Sequence, residues 1–292
     1  MTETLTTAFG KQIKEALSRS KASTVITEDN VYQEGDPNIL PLLDEMVEQL
    51  ALPGSGLSGL ENLEELLAKA ESGKSCLLLV EHYSNLDLSI LSFLARKAGG
   101  RGNDISNSII AIAGMKLNED NPAVAAFASA YTRIVIYPSR SLQDQDTEKG
   151  KAELARSNAI NRAAMKALIR HKYKGRLVLV FPSGTRYRSW DPETKKGVRE
   201  IDSYIRSFDY MCCIALNGQL LHVQKTDMTN DYVSKDIVTV TAGPAMECEA
   251  FRERARSAAP EGYDKKQAVA DAIMNELEKM HIAAEKEREK LN

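Results

Sequence analysis

The sequence lacks the features of a membrane-spanning or secreted chain. No apolar run approaches the ~20 residues that a helix needs to cross a bilayer, and runs such as Ile109–Ala113 are only as long as strands. The first residues show no basic region followed by an apolar core, which predicts no secretory signal. The four cysteines have no disulfide-framework spacing, and Cys212 and Cys213 are adjacent. We therefore expect free thiols, a reducing compartment and a soluble cytoplasmic protein.

Charge is nearly balanced over the whole chain but not locally. The 292 residues carry 38 Lys and Arg against 41 Asp and Glu, a formal net charge of −3. Residues 133–199 alone carry 16 Lys and Arg against 6 Asp and Glu. This basic segment predicts contact with phosphate, an acidic carrier protein or an anionic surface. Nucleic acid is not expected, because neither a recognition fold nor interleaved aromatic and basic residues accompany the charge.

Hydrophobic spacing predicts a helical start and an α/β sheet after it. Apolar residues spaced three and four apart predict helices near 39–50 and 60–67. After Gly73, helical stretches at Asn85–Lys97, Lys149–His171 and from Lys265 alternate with strand-length runs. The predicted strands are Cys76–Val80, Ile109–Ala113, Ile134–Tyr137, Leu177–Phe181, Met211–Leu216 and Ile237–Thr241. Such alternation is typical of an α/β sheet flanked by helices. We expect a small N-terminal helical domain over residues 1–72 and an α/β domain over 73–292.

The first candidate site follows the predicted strand Cys76–Val80. His82 would lie at the carboxyl end of this strand, where open α/β sheets place their ligands. Ser84 or Asn85 can cap the next helix, which puts Asp87 in its first turns. A carboxylate there can accept a hydrogen bond from one imidazole nitrogen and leave the other as a base. The alternative is a surface histidine beside an acidic helix start, since such a pair also arises by chance.

The second candidate site is Phe-Pro-Ser-Gly-Thr-Arg-Tyr-Arg, residues 181–188, directly after another predicted strand. Pro182 would end the strand and Gly184 permits a tight turn. Arg186 and Arg188 would then project from a short loop at the ligand-binding edge of the sheet. Two guanidinium groups suit a phosphate or a carboxylate, because arginine donates two hydrogen bonds to such groups at once. The alternative is a polar loop with solvated arginines.

These two motifs, about one hundred residues apart, together resemble the glycerolipid acyltransferase family, which acylates glycerol-3-phosphate or lysophosphatidate. Ser183 stands where most of the family has Glu. The Pro-Ser-Gly form with a second arginine two residues on is similar to the soluble, plastid-type glycerol-3-phosphate acyltransferases. The resemblance covers roughly residues 76–245, with weaker matches at 113–116, 131–137 and 214–216. Glu81 precedes the histidine, where Asn is common in the wider family.

The resemblance implies a fold, a reaction and a set of site residues. The fold is a mixed sheet flanked by helices, with a separate helical domain at the N-terminus. His82, oriented by Asp87, would take the proton of a glycerol hydroxyl, which attacks an acyl thioester directly and yields lysophosphatidate. The acceptor would be held by Lys116, Arg140, Ser183, Gly184, Thr185, Arg186 and Arg188. The implied partners are glycerol-3-phosphate, acyl-coenzyme A or acyl-carrier protein as co-substrate, and the periphery of a membrane. No further cofactor is implied.

Other functions fit parts of the same pattern. One is acylation of lysophosphatidate or another lysophospholipid, and a second is non-catalytic binding of a lipid or an acyl carrier. The His82–Asp87 pair favours an enzyme, since a binding protein has no need of it. A phosphate loop at Ser72–Ser75 is not expected, because its upstream Gly is missing and it precedes a strand. No zinc site is expected, because the other three histidines lie far apart without ligands at metal-binding spacing.

The predicted helix Lys149–His171 and the residues after it carry much of the basic charge. Its cations could dock an anionic partner, and the alternative is a solvated helix face. The residues concerned are Arg156, Arg162, Lys166, Arg170, Lys172 and Lys174.

Overall fold

The structure is a computed structural model that describes residues 3–21, 23, 25–119, 121–138, 147–226 and 228–291. Helices and strands are numbered in chain order. The helices are α1 (Leu5–Arg19), α2 (Leu40–Leu50), α3 (Leu60–Glu71), α4 (Asp87–Ala98), α5 (Gly102–Ser108), α6 (Lys116–Glu119), α7 (Pro122–Ala128), α8 (Glu148–His171), α9 (Ile201–Ser207), α10 (Cys248–Ser257) and α11 (Lys265–Arg288). The strands are β1 (Tyr32–Gln33), β2 (Gly56–Ser58), β3 (Cys76–Val80), β4 (Ile109–Gly114), β5 (Arg133–Ile136), β6 (Leu177–Val180), β7 (Tyr210–Asn217), β8 (Leu221–His222), β9 (Tyr232–Val233), β10 (Thr239–Ala242) and β11 (Met246–Glu247).

The chain folds into two compact units, each assembled from separate segments. The larger unit comprises Met1–Ala8, Asp44–Ile109 and Lys172–Asn292, and the smaller unit comprises Phe9–Leu43 and Ile110–His171. Helices α1 to α3 confirm the helical N-terminal region that the apolar spacing predicted. The domain boundary expected near residue 72 stays a prediction.

A mixed sheet forms the centre of the larger unit. Its strands follow the order β6-β3-β7-β10-β2, and β11 pairs with β7. Strands β6, β3 and β7 are parallel, with Leu77 of β3 opposite Val178 and Met211. β10 runs antiparallel to β7. Central parallel strands are covered on both faces, which explains why every residue of β3 and β6 is buried. The mixed sheet and its helices confirm the predicted α/β fold class.

Helix α11, which confirms the helical stretch predicted from Lys265, packs on β7 through an apolar stripe. Asp264 caps the helix, because its carboxylate accepts the Lys266 N–H at 2.8 Å. Val269, Ile273 and Leu277 are completely buried, and each contributes about 1.5–3 kcal/mol to stability relative to an exposed side chain. The helix continues for several turns beyond this stripe.

The smaller unit contains three paired strands and the longest basic helix. β5 lies between β4, to which it is parallel, and β1, to which it is antiparallel. Helix α8 packs on β5 and buries Ile160, Ala164 and Leu168 along one face. Within the described part of the chain, no helix combines the length and the apolar character that crossing a bilayer requires.

Candidate active site

The loop between β3 and α4 brings His82 and Asp87 into contact. His82 Nδ1 lies 2.9 Å from Asp87 Oδ2. The same carboxylate accepts the backbone N–H of Tyr83 at 2.6 Å, the N–H of Ser84 at 2.9 Å and the Ser84 hydroxyl at 2.8 Å. Since the other polar neighbours of this carboxylate are donors, we assign the hydrogen to His82 Nδ1, which leaves a lone pair on Nε2. The first residue of α4 thus fixes both the orientation and the tautomer of the histidine.

The loop after β6 covers one side of His82. The Phe181 ring stacks on the imidazole with the ring centroids 3.9 Å apart, and the Tyr187 N–H donates to the His82 carbonyl oxygen at 2.8 Å. The side chain of His82 is 16% exposed, against 4% for Asp87. Among the residues that the structure describes, none forms a hydrogen bond with His82 Nε2. This nitrogen is therefore available to an incoming hydroxyl.

Residues Ser183, Gly184 and Thr185 form the tight turn of the second motif. The Gly184 N–H donates to the Phe181 carbonyl oxygen at 2.9 Å, and Gly184 has φ of +64°, where glycine is favoured. The Ser183 hydroxyl donates to the Thr185 carbonyl oxygen at 2.7 Å, and Ser183 is buried. The Ser183 hydroxyl thus supports the turn that presents the two arginines.

The two arginines of this loop differ in their partners. Arg186 Nη1 donates to Asp231 Oδ2 at 2.6 Å, and the carboxylate of Asp231 is completely buried. The other Asp231 oxygen accepts the Gln224 N–H at 2.8 Å. The Arg188 guanidinium makes no hydrogen bond or ion pair with any residue in the described ranges, although its backbone N–H donates to Thr194. Arg186 is fixed by the protein, whereas Arg188 retains a charge for a ligand.

A second histidine, on α11, joins the loop after β3. Glu81 Oε2 accepts His281 Nδ1–H at 2.9 Å and the Leu216 N–H at 2.8 Å, while Glu81 Oε1 accepts the Tyr83 hydroxyl at 2.9 Å. Burial alone would lower the pKa of His281, but the hydrogen bond and charge of Glu81 outweigh it and raise that pKa. Burial, together with Glu81, raises the pKa of Tyr83 far above its usual value, so the phenol stays a donor. None of these four residues was predicted to belong to the site, and the sequence signal that could have found them is Glu81, which stands where the resemblance favours Asn.

A small pocket lies beside the carboxylate of Asp87. It is lined by residues of the loop after β3, among them Tyr83 and Ser84, and by the end of β7 around Asn217. Its cavity volume is about 10 Å³, which is room for about one water molecule. Pockets for small ligands usually hold ~300–1,000 Å³, so we assign neither an acyl chain nor an acceptor to it.

Two other residues were predicted to bind the acceptor. Lys116 begins α6 in the smaller unit and is exposed, and Arg140 falls outside the described residues. The roles predicted for them stay predictions. All four cysteines are buried free thiols, and burial raises the pKa of Cys212 to about 12, so this thiol is protonated at neutral pH. In the described ranges, no group of three or more His, Cys, Asp or Glu side chains could hold a metal ion.

A histidine with an available Nε2 on an α/β sheet suits an enzyme that removes a proton from its substrate. The family model for acyltransferases matches residues 56–225, which is more than half of the chain and includes both motifs. The chain therefore belongs to the acyltransferase family. The family supports O-acyl transfer in lipid synthesis as the general activity. A comparison with curated proteins gives no significant match.

Proposed function

We propose that the protein is a glycerol-3-phosphate 1-O-acyltransferase of phospholipid biosynthesis, acting in the cytoplasm or at the membrane periphery. It would transfer the acyl group of acyl-carrier protein or acyl-coenzyme A to glycerol-3-phosphate and form lysophosphatidate. The observation that carries the proposal is the contact between the two motifs, in which Phe181 stacks on His82 and Tyr187 donates to its carbonyl oxygen. A base beside a cationic loop fits an acceptor that has both a hydroxyl and a phosphate.

His82 is the general base of this mechanism. Its Nε2 accepts the proton of the acceptor hydroxyl while that oxygen attacks the carbonyl carbon of the thioester. The tetrahedral intermediate then expels the thiolate. The thiolate is protonated by the His82 imidazolium, which returns His82 to its neutral form. An ester and a free thiol result, and no covalent acyl-enzyme is formed. Asp87 accepts the hydrogen bond from Nδ1 and stabilises the imidazolium. A base of this kind contributes ~10²–10⁴-fold to the rate.

Arg188 is the principal phosphate ligand of the acceptor. Its guanidinium has no ion-pair partner in the described part of the chain, and a phosphate accepts two parallel hydrogen bonds from such a group. Arg186 contributes a second positive charge, although Asp231 offsets part of it. A held phosphate positions the attacking hydroxyl, which lowers the entropic part of the barrier.

The test incubates the pure protein with labelled glycerol-3-phosphate or lysophosphatidate and either acyl-coenzyme A or acyl-carrier protein. We expect transfer to glycerol-3-phosphate, and a loss of ~10²–10⁴-fold in kcat for His82→Ala. His222→Ala is the matched control, because this histidine lies on β8 and its side chain bonds only to Ser234 among the described residues. Transfer to lysophosphatidate alone would assign the second acylation step instead. If no pair of donor and acceptor gives transfer, the proposal that the protein is an acyltransferase of this kind is refuted. Full activity of His82→Ala would refute the role of His82 as general base.

A further inference from the structure

We propose that the exposed face of α8 binds an anionic lipid surface. This basic face consists of Arg162, Met165, Lys166, Ile169 and Arg170, all of which are exposed. The proposal concerns membrane binding and is independent of the acyl acceptor and donor proposed above.

Helical spacing separates the basic face from the buried face of α8. Ile160, Ala164 and Leu168 recur every fourth residue and are buried against β5. Met165 and Ile169, one turn apart, point away from that contact and are 50% and 55% exposed. These two side chains form an exposed apolar patch among the cations of the helix, which favours a surface that a partner covers.

The cations of the basic face are not compensated by the protein. Arg162, Lys166 and Arg170 follow one another at intervals of four residues, and like charges at this spacing disfavour a helix. None of the three makes an ion pair or a hydrogen bond with the residues described by the structure, whereas Lys151 at the start of the same helix pairs with Glu148. Residues 154–190 contain nine Lys and Arg and no Asp or Glu. An anionic partner would remove this repulsion.

The combination of charge and exposed apolar groups favours a lipid surface over an acidic protein. The three cations would contact lipid phosphates, while Met165 and Ile169 would enter the region between the headgroups. An acidic protein would match the charge, but it would also need a recess shaped to cover two side chains that project from a convex helix. A bilayer covers such side chains without a matching shape.

The experiment measures binding of the full chain to two kinds of vesicle, one of phosphatidylglycerol mixed with phosphatidylcholine and one of phosphatidylcholine alone. We expect binding to the anionic vesicles, weakened by salt. The variant R162A/K166A/R170A should bind these vesicles roughly 100-fold more weakly, because each cation near an anionic surface contributes about fivefold. The variant M165S/I169S should bind the anionic vesicles on the order of tenfold more weakly than the unaltered protein. The control K265A/K266A/K286A removes the same charge from exposed positions of α11 and should bind like the unaltered protein.

Several results would overturn the proposal. The unaltered chain could fail to bind anionic vesicles, or the control could lose as much binding as the variant of the basic face. Unchanged vesicle binding by R162A/K166A/R170A, with lost binding to an acidic acyl-carrier protein, would assign the basic face to the carrier instead. Vesicle binding needs no catalysis. If the protein binds vesicles but transfers no acyl group, the proposed function is refuted and the proposal that the basic face binds a lipid surface still holds.

Discussion

The substitution Asp87→Asn tests the histidine–carboxylate pair most directly, because it removes a charge and keeps the shape of the side chain. Asp87 accepts hydrogen bonds from His82, Tyr83 and Ser84. An asparagine oxygen in the Oδ2 position can still accept the backbone N–H groups, and the Ser84 hydroxyl can rotate to accept from the new amide. The variant should therefore fold and lose only about 1–2 kcal/mol of its free energy of unfolding.

The expected catalytic loss follows from the single hydrogen bond to His82. In the proposed mechanism the imidazolium exists only after proton transfer, so the charge of Asp87 acts mainly in the transition state. A hydrogen bond to a charged group is worth about 1.5–3 kcal/mol, which corresponds to a decrease of about 10- to 150-fold in kcat at 25 °C. The KM values of acceptor and donor should change little, because Asp87 is buried behind the histidine.

The assay combines steady-state kinetics with urea unfolding of the same preparations. Asp104→Asn is the control, because it makes the same change at an exposed site on α5. Asp87→Ala should unfold more easily than Asp87→Asn by about 2–6 kcal/mol, since it leaves two backbone N–H groups without an acceptor. A folded Asp87→Asn variant with the kcat of the unaltered protein would refute the role of the pair.

Three further predictions concern other parts of the larger unit. Arg188→Ala should raise the KM for glycerol-3-phosphate about 10- to 150-fold and leave the KM for the acyl donor unchanged. Arg186→Ala should instead lower the free energy of unfolding by about 3–5 kcal/mol, because its carboxylate partner is buried. Equal free energies of unfolding for the two variants would contradict this difference between the arginines. The raised pKa of His281 contributes stability that is complete below the unfolded pKa of ~6.5 and is lost as pH rises through the folded pKa. Urea titrations should therefore show the difference between the unaltered protein and His281→Gln shrink as pH rises, and a constant difference would be evidence against the ion pair. Gly59→Ala should lower the free energy of unfolding by about 1–3 kcal/mol, because φ is +79° and the new Cβ would lie 2.2 Å from a carbonyl oxygen of β10. Gly56→Ala is the control, because there is open space around that glycine. Equal thermal unfolding of the two variants would show that Gly59→Ala introduces no strain.

The sequence predicted the elements whose apolar pattern is long enough to be unambiguous. The run Cys76–Val80 matches β3 residue for residue, because a short apolar run of this length is typical of a strand that is buried on both faces. The strand predicted over Leu177–Phe181 was one residue too long, because β6 ends at Val180 and the Phe181 ring stacks on His82. Strands β1 and β2 were not predicted, because two or three residues carry no periodicity. Their positions depend on pairing partners that are distant in sequence.

The candidate site was predicted only where its contacts are local. His82 lies in the loop before α4 and Asp87 is the first residue of that helix, so local geometry suffices to bring them together. Nothing in the sequence distinguishes Arg186 from Arg188, because the difference depends on Asp231, which is 45 residues away. Two arginines that appear equivalent in the motif therefore have different tasks in the fold, one holding a buried carboxylate and the other available to a phosphate.

The contact between Glu81 and His281 could not be predicted, and it explains how a buried carboxylate is tolerated beside the proposed base. A buried carboxylate is costly unless its charge and its hydrogen-bonding capacity are both satisfied. Glu81 meets this requirement through Tyr83, the Leu216 N–H and a histidine that is 200 residues away in sequence. Of these three donors, the histidine is the one that can offset the charge of the glutamate. Since Glu81 immediately precedes His82, the last turns of α11, which supply the histidine, support the geometry of the proposed base.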